Sequence, residues 1–234
     1  MENMSDKKNN IIKTIQNMSG KFSVYEIFAD WVELMALAMA NQIIFDQKRE
    51  ERYTKVLERY TKPEQDKLFE MTAWLIEWAD AEYFDMLGFI YMHLELGSKR
   101  GGQFFTPYHL CRMMANLVTF DDEIRVANEP TCGAGGNIIA LAEAMRLKGV
   151  NYQEKLLAIC QDIDIKAVYM AYVQLSLYGV PAVVYQSDTL RDPNGLDSST
   201  GYLYTFGYVM HPKLQDEWRR KNGKENNLAK GDSG

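Results

Sequence analysis

Residues 126–145 read VANEPTCGAGGNIIALAEAM. A short apolar run ends on Glu129, a proline and a small cysteine follow, and then come Gly133, Gly135 and Gly136. Directly afterwards Ile138, Ile139, Leu141, Ala142 and Met145 take up helical spacing. A strand that breaks into glycines and restarts as a helix lets the main chain turn tightly and approach a ligand with no Cβ in the way. In parallel sheets, ligands bind at the carboxyl ends of the strands. The fold therefore depends on what the neighbouring segments add to that edge.

Working outward, EIRVANE reads as a strand and NIIALAEAMRLKG as a helix. KLLAICQDID is a second strand, IKAVYMAYVQLSLYG a second helix, PAVVYQSD a third strand, and GYLYTFGYVM is expected to supply a fourth. Strands alternating with helices predict an α/β fold with a short parallel sheet and crossover helices. Asp164 is expected to cap the second helix. Upstream, the texture is helical. FSVYEIFADWVELMALAMANQIIF spaces Phe22, Ile27, Trp31, Leu34 and Met35 along one face. TKPEQDKLFEMTAWLIEWAD opens with Thr61 as N-cap and Pro63 in the first turn. AEYFDMLGFIYMHLEL follows, with Gly97 as its stop and His93 as a partly buried helical residue. The expected organisation is a flexible lead-in at 1–20, an all-helical domain at 21–97, an α/β domain at 98–212 and a polar tail at 213–234.

Composition narrows the class. Of 234 residues, 47% are apolar and 25% charged, a globular profile rather than a disordered one. No apolar run reaches the length of a spanning helix, and MENMSDKKNN lacks the apolar core of a signal peptide. The expectation is a cytoplasmic protein without membrane contact. Cys111, Cys132 and Cys160 form no CxxC pair, and His93, His109 and His211 show no metal-ligand spacing, so neither a disulfide framework nor a metal is expected. The formal charge of −6 is not the basic footprint of a free-standing nucleic-acid binder. The basic run Trp218–Lys224 reads as a solvated terminal stretch.

Four features converge on the carboxyl edge: the glycine loop, Asp162 after the second strand, Asp188 after the third, and whatever follows FGYVM. A carboxylate at the second position suits a ribose diol, because it accepts two hydroxyl hydrogen bonds. An acid at the third can accept a proton from an exocyclic amine. Glu129 beside the glycines repels a pyrophosphate and suits an ammonium. The NAD fingerprint GxGxxG fails at Ile138, and the GK[ST] of a P-loop is absent. S-adenosylmethionine, with an adenosine, a cationic amino-acid end and no phosphate, fits best. Cys132 reads as a small packed residue, since no base stands near it.

Three segments, in this order, resemble the adenine-N6 DNA methyltransferases, particularly the modification subunits of type I restriction systems: GQFFTP (102–107), EPTCGAGG (129–136) and QDID…SDTL. The resemblance implies a Rossmann-like methyltransferase domain. It implies that Gln103, Phe104, Thr106 and Pro107 help hold the methionine end of S-adenosylmethionine. Glu129, Thr131, Gly133 and Gly135 would form the loop, Asp162 with Ile163 the ribose side, and Asp188 the adenine contact. It also implies DNA as substrate, reached through a partner or specificity subunit, with a protein partner or self-association to assemble the enzyme. In that family a [DNS]-P-P-[FYW] motif holds the flipped adenine. Here the corresponding FGYVMHPKL offers His211 and Pro212, with Lys213 and Leu214 in place of the second proline and the aromatic. Three readings follow: an active methyltransferase that uses a non-standard acceptor site at His211 and Pro212 or a partner chain, an impaired S-adenosylmethionine-binding regulatory or assembly subunit, or a binding protein that kept the fold and lost the ligand, against which the intact pocket motifs argue. Asp162→Ala is expected to abolish ligand binding and leave the fold intact.

Overall fold

A computed structural model describes residues 4–96, 104–120, 123–191 and 201–211, with side chains from Asp6 onward. Five helices come first: α1 (Met4–Met18), α2 (Val24–Ile43), α3 (Gln47–Leu57), α4 (Lys62–Ala81) and α5 (Met86–His93). They are followed by α6 (Tyr108–Asn116), β1 (Arg125–Glu129), α7 (Gly136–Leu147), α8 (Tyr152–Lys155) and β2 (Leu156–Asp162). The remainder is α9 (Ile165–Leu177), β3 (Ala182–Gln186), β4 (Leu203–Tyr204) and α10 (Phe206–Met210). This is the expected mixed architecture, with a mostly parallel sheet behind a helical N-terminal part.

Local chemistry sets the helix starts. Ser23 accepts from the Glu26 N–H, and Glu26 reaches back to the Ser23 N–H. Thr61 is the N-cap of α4, its N–H and hydroxyl both donating to Glu64, with Pro63 in the first turn. Each such cap satisfies donors that a helix terminus otherwise leaves open. Asp164 caps α9 by accepting from the Lys166 N–H, as expected.

Three features of the helical part depart from the sequence reading. Residues 4–18 form α1 instead of a flexible lead-in: Ile11, Ile12 and Ile15 share one buried face packed on α4, behind a polar surface that hides the pattern. The helix expected from residue 81 onward begins only at Met86, because Asp85 turns inward and caps it. His93 is exposed and stacks on Phe89 with ring centroids 5.8 Å apart.

β1, β2 and β3 are mutually parallel in the order β1-β2-β3, with Ala127 opposite Ala158 and Ala158 opposite Ala182. The fourth strand is shorter than expected and runs antiparallel to β3, pairing Val184 with Leu203 and Val183 with Tyr204. The FGYVM stretch is α10. Thr205 caps it, accepts from the Ala182 N–H and donates to the Val180 carbonyl. Helix α2 lies on α9, and α6 lies on α7, where Tyr108 and Arg112 both engage Glu143. One continuous buried cluster runs from Ile11 through Trp31, Trp78 and Leu87 to Tyr172 and Leu203, so helices and sheet share a core. No helix among the described residues is long and apolar enough to cross a membrane.

Candidate cofactor site at the carboxyl ends of β1 and β2

The glycine loop leaves β1 at Glu129 and enters α7 at Gly136. Its conformation needs glycine where the backbone goes left-handed: φ is +53° at Gly133 and +89° at Gly135. A Cβ on Gly133 would sit 2.9 Å from the Phe105 ring, so that ring lies directly on the loop. Gly135 faces the other way, where a Cβ would press on Ala171 of α9 at 3.4 Å. Gly133 therefore faces the cavity, whereas Gly135 allows the loop to pack on a helix.

The loop is tied down on several sides. The Cys132 N–H donates to the Gln161 carbonyl of β2 at 2.8 Å, and the Gly135 N–H to the Cys132 carbonyl at 2.8 Å. The Gly133 N–H donates to Asp162 Oδ2 at 2.9 Å, and Asp162 Oδ1 accepts from the Asp164 N–H at 3.0 Å. Gln174, wholly buried on α9, donates from Nε2 to the Ala134 carbonyl at 2.7 Å and to Asp85 Oδ1 at 2.8 Å. Its Oε1 accepts from the Leu87 N–H at 3.0 Å. Thr189, after β3, donates to the Pro130 carbonyl and accepts from Gln161, which in turn accepts from Tyr185.

Between this loop and the lead-in to α6 lies a cavity of about 280 Å³. Phe104, Phe105 and Thr106 form one wall, Thr131 to Ala134 with Gly136 and Asn137 the other, and Asp162 one end. Asp85 and Cys111 lie at the back. A larger, mainly apolar cleft of about 510 Å³ adjoins it, sharing Asp85, Phe105 and Thr106, and lined further by Tyr83, Phe84, Phe89 and His109.

Of the residues expected at the site, Phe104, Thr106, Thr131, Gly133 and Asp162 line the smaller cavity. Pro107 stands at the N-cap of α6 and lines the larger cleft. Glu129 is set back: it accepts from Asn137 Nδ2 at 3.1 Å, and burial holds its carboxyl above the usual range. Ile163 is exposed beside Asp162, with its carbonyl accepting from Gln186. Asp188 closes its own turn, accepting from the Leu190 N–H and pairing with Arg191, and does not line the cavity. Gln103 and Pro212 lie outside the described residues, as do Lys213, Leu214 and the run 218–224.

His211 is not brought to this edge. It is buried, with Nε2 2.9 Å from the Glu154 carbonyl just ahead of β2, and its Nδ1 has no partner among the described residues. The reason is strand direction. An antiparallel β4 carries the chain back towards the amino ends of its neighbours. The length of β2, about 20 Å at strand rise, separates His211 from Asp162.

Four residues at the site escaped the sequence reading: Asp85, Phe105, Asn137 and Gln174. Asn137 directly follows the glycines, and its Oδ1 is a buried acceptor without a partner. Phe105 adjoins a residue that was singled out. Asp85 and Gln174 meet across 89 positions, and no local pattern announces that. Burial raises the Asp85 carboxyl above the usual range, although Gln174 and the Gly88 N–H donate to it. Burial raises Cys132 well above the ordinary thiol range, with Cys160, Asp162 and Glu129 adding to it, which leaves it a packed, unreactive residue.

A family model described as N-6 DNA methylase matches residues 85–232, more than half of the chain. The chain belongs to the N-6 DNA methylase family. Its match begins at Asp85, the buried acid behind the glycine loop. A curated relative, the type I restriction enzyme MjaIX methylase subunit of Methanocaldococcus jannaschii, is 28% identical over 140 residues. That stretch is 57% of this chain and 24% of the relative, so the chain spans about a quarter of the relative's length. Among solved structures, a type I restriction-modification methyltransferase subunit from Streptococcus thermophilus superposes with a TM-score of 0.42 at 14% identity. The superposition covers 86% of this chain and 62% of that one.

Proposed function

We propose that the chain binds S-adenosylmethionine in the cavity beside the glycine loop and serves the transfer of its methyl group to adenine N6 in DNA. The observation that carries this is convergence: Gly133, Thr131 and Asp162 meet Phe104 and Thr106 around one cavity at the carboxyl ends of β1 and β2. The residues present fit the group. The left-handed turn at Gly133 leaves space that a Cβ would fill, and the buried Asn137 Oδ1 awaits a donor. Asp85, Glu129 and Asp162 around the loop disfavour a phosphate and favour a cationic ligand.

In this reading Asp162 orients the ribose, with its remaining lone pairs free for hydroxyl donors. Exposed Ile163 beside it offers an apolar face to the adenine ring. Phe105 shuts water out over Gly133, and Thr106 and Asn137 take the amino-acid end. When bound, S-adenosylmethionine supplies an electrophilic methyl group on a sulfonium. The protein's contribution is positioning, which accounts for a large share of the barrier in a displacement of this kind. The target base must be unstacked to reach the site. We assign the groups that hold it to residues outside the described set or to a partner chain, because His211 stands at the opposite edge. A specificity or second modification subunit supplies the DNA contacts that a formal charge of −6 does not favour.

Calorimetric titration of the purified chain with S-adenosylmethionine, with NAD as control, tests the reading. Saturable binding of the former alone supports it, and no binding of S-adenosylmethionine overturns it. Transfer of labelled methyl groups to DNA, with and without an added partner subunit, then separates an active enzyme from a binding subunit.

A further inference from the structure

Asp85 is 5% exposed, yet it has one oxygen to spare. Oδ1 accepts from both the Gly88 N–H at 3.0 Å and Gln174 Nε2 at 2.8 Å. No hydrogen bond among the described residues reaches Oδ2, and Asp85 lines both the smaller cavity and the adjoining cleft. Two glycines make room for that oxygen. A Cβ on Gly88 would lie 2.1 Å from it, and one on Gly136 would lie 3.2 Å away. Asn137 lines the same cavity: its Oδ1 is buried and unpaired, while its Nδ2 is committed to Glu129 and so fixes which way the amide points. Among the described residues that line the cavity there is no lysine or arginine. A buried acceptor without a donor is costly, and Asn137 Oδ1 near a carboxylate that lines the same cavity calls for a ligand group that only donates.

We infer that Asp85, together with Asn137, is the receptor for the α-amino group of the bound amino-acid moiety, and that Glu129 acts behind Asn137 as its positioning residue. This rests on the reading of the cavity as an S-adenosylmethionine site. An ammonium has three donors and no acceptor. Asp85 Oδ2 and Asn137 Oδ1 take two of them, and the anionic end of the ligand is kept away from this corner by the same carboxylate. The arrangement also explains why an acid sits at the N-cap of α5 with only one oxygen used in capping.

The test is calorimetric titration of parent and Asp85→Asn with S-adenosylhomocysteine and with its analogue lacking only the α-amino group. Asn retains the capping oxygen and the size of the side chain but replaces the spare oxygen with a donor. The parent should prefer S-adenosylhomocysteine. The variant should weaken that ligand by about 10- to 100-fold, as expected for a lost charge-assisted hydrogen bond, and leave the deaminated analogue unchanged. Equal weakening of both ligands would reduce Asp85 to a structural role and overturn the inference, as would unchanged binding of both. A parent that binds neither removes the S-adenosylmethionine reading itself. Should circular dichroism show Asp85→Asn unfolded, Asn137→Ala decides on the same two ligands: selective loss of S-adenosylhomocysteine supports the inference, and equal affinity for both overturns it.

Discussion

Replacing Asp162 with alanine should do more than remove a ribose contact. The carboxylate accepts from two backbone donors, Gly133 N–H at 2.9 Å and Asp164 N–H at 3.0 Å, and so joins the glycine loop to the start of α9. It is 8% exposed, so water replaces it poorly. Stranding a partly buried donor costs about 1–3 kcal/mol. Two of them, each at the lower half of that range because Gly133 and Asp164 are only half-buried, give about 2–4 kcal/mol. For a chain of this length that corresponds to a fall in Tm of roughly 4–16 °C. Urea unfolding of parent, Asp162→Ala and Asp162→Asn measures it. Asn keeps one acceptor, so it should recover part of the loss at the Asp164 N–H and little at Gly133, where its amide would oppose another donor. The expectation from sequence was loss of binding with the fold intact. If Asp162→Ala loses S-adenosylmethionine binding yet unfolds within about 0.5 kcal/mol of the parent, that simpler view is right and the structural account of Asp162 is wrong.

Gly88→Ala should destabilise by about 1–3 kcal/mol, the usual cost of overpacking, because its Cβ would fall 2.1 Å from the fixed Asp85 carboxylate; a melting temperature equal to the parent's would refute that. Asp85 has a raised folded-state pKa, so the folded chain holds that proton more tightly than the unfolded one. Its contribution is complete below the ordinary carboxylate range, near about 4, and is lost as pH rises through the raised value. The fall of Tm with rising pH should therefore be shallower in Asp85→Asn than in the parent, and parallel curves would count against it. Burial pushes Cys111 up to about 11 and Cys132 and Cys160 higher still, so a native thiol titration at pH 8 should find all three unreactive until urea is added. His211→Ala should leave S-adenosylmethionine affinity unchanged, and a large loss would place His211 at the cofactor after all.

What the sequence made legible was local. Thr61, Asp164 and the turn at Gly133 each declare themselves through chemistry that closes within a few residues. The parallel core was equally readable, because β2 and β3 are near-continuous apolar runs of the kind buried on both faces. Strand direction was not. A two-residue strand such as β4 carries no periodicity to reveal which way it runs, and its antiparallel pairing alone moves His211 to the far edge. Helix α1 was hidden by its lysines and asparagines, since three buried isoleucines within fifteen residues form too narrow a stripe to outweigh them. Asp85 was hidden for a different reason. It looks like an ordinary helix cap, and its second role exists only once Gln174 and Gly136 arrive from distant parts of the chain.

These long-range ties explain why the loop can be both open and firm. On the cavity side, Gly133 presents bare backbone beneath Phe105. On the other sides the loop is bonded to β2 through Gln161 and Asp162, to α9 through Gln174, and to the turn after β3 through Thr189. A binding site works best when its geometry is held by supports that do not themselves touch the ligand. Gln174 is such a support: fully buried, it fixes the Ala134 carbonyl and the Asp85 carboxylate with the two hydrogens of a single amide. Replacing it should loosen the loop and misplace Asp85 together, so its effects on binding and on stability should rise in step. Asp85→Asn, by contrast, should separate them. That difference distinguishes a support from a contact, and a loss of affinity measured without the accompanying stability cannot.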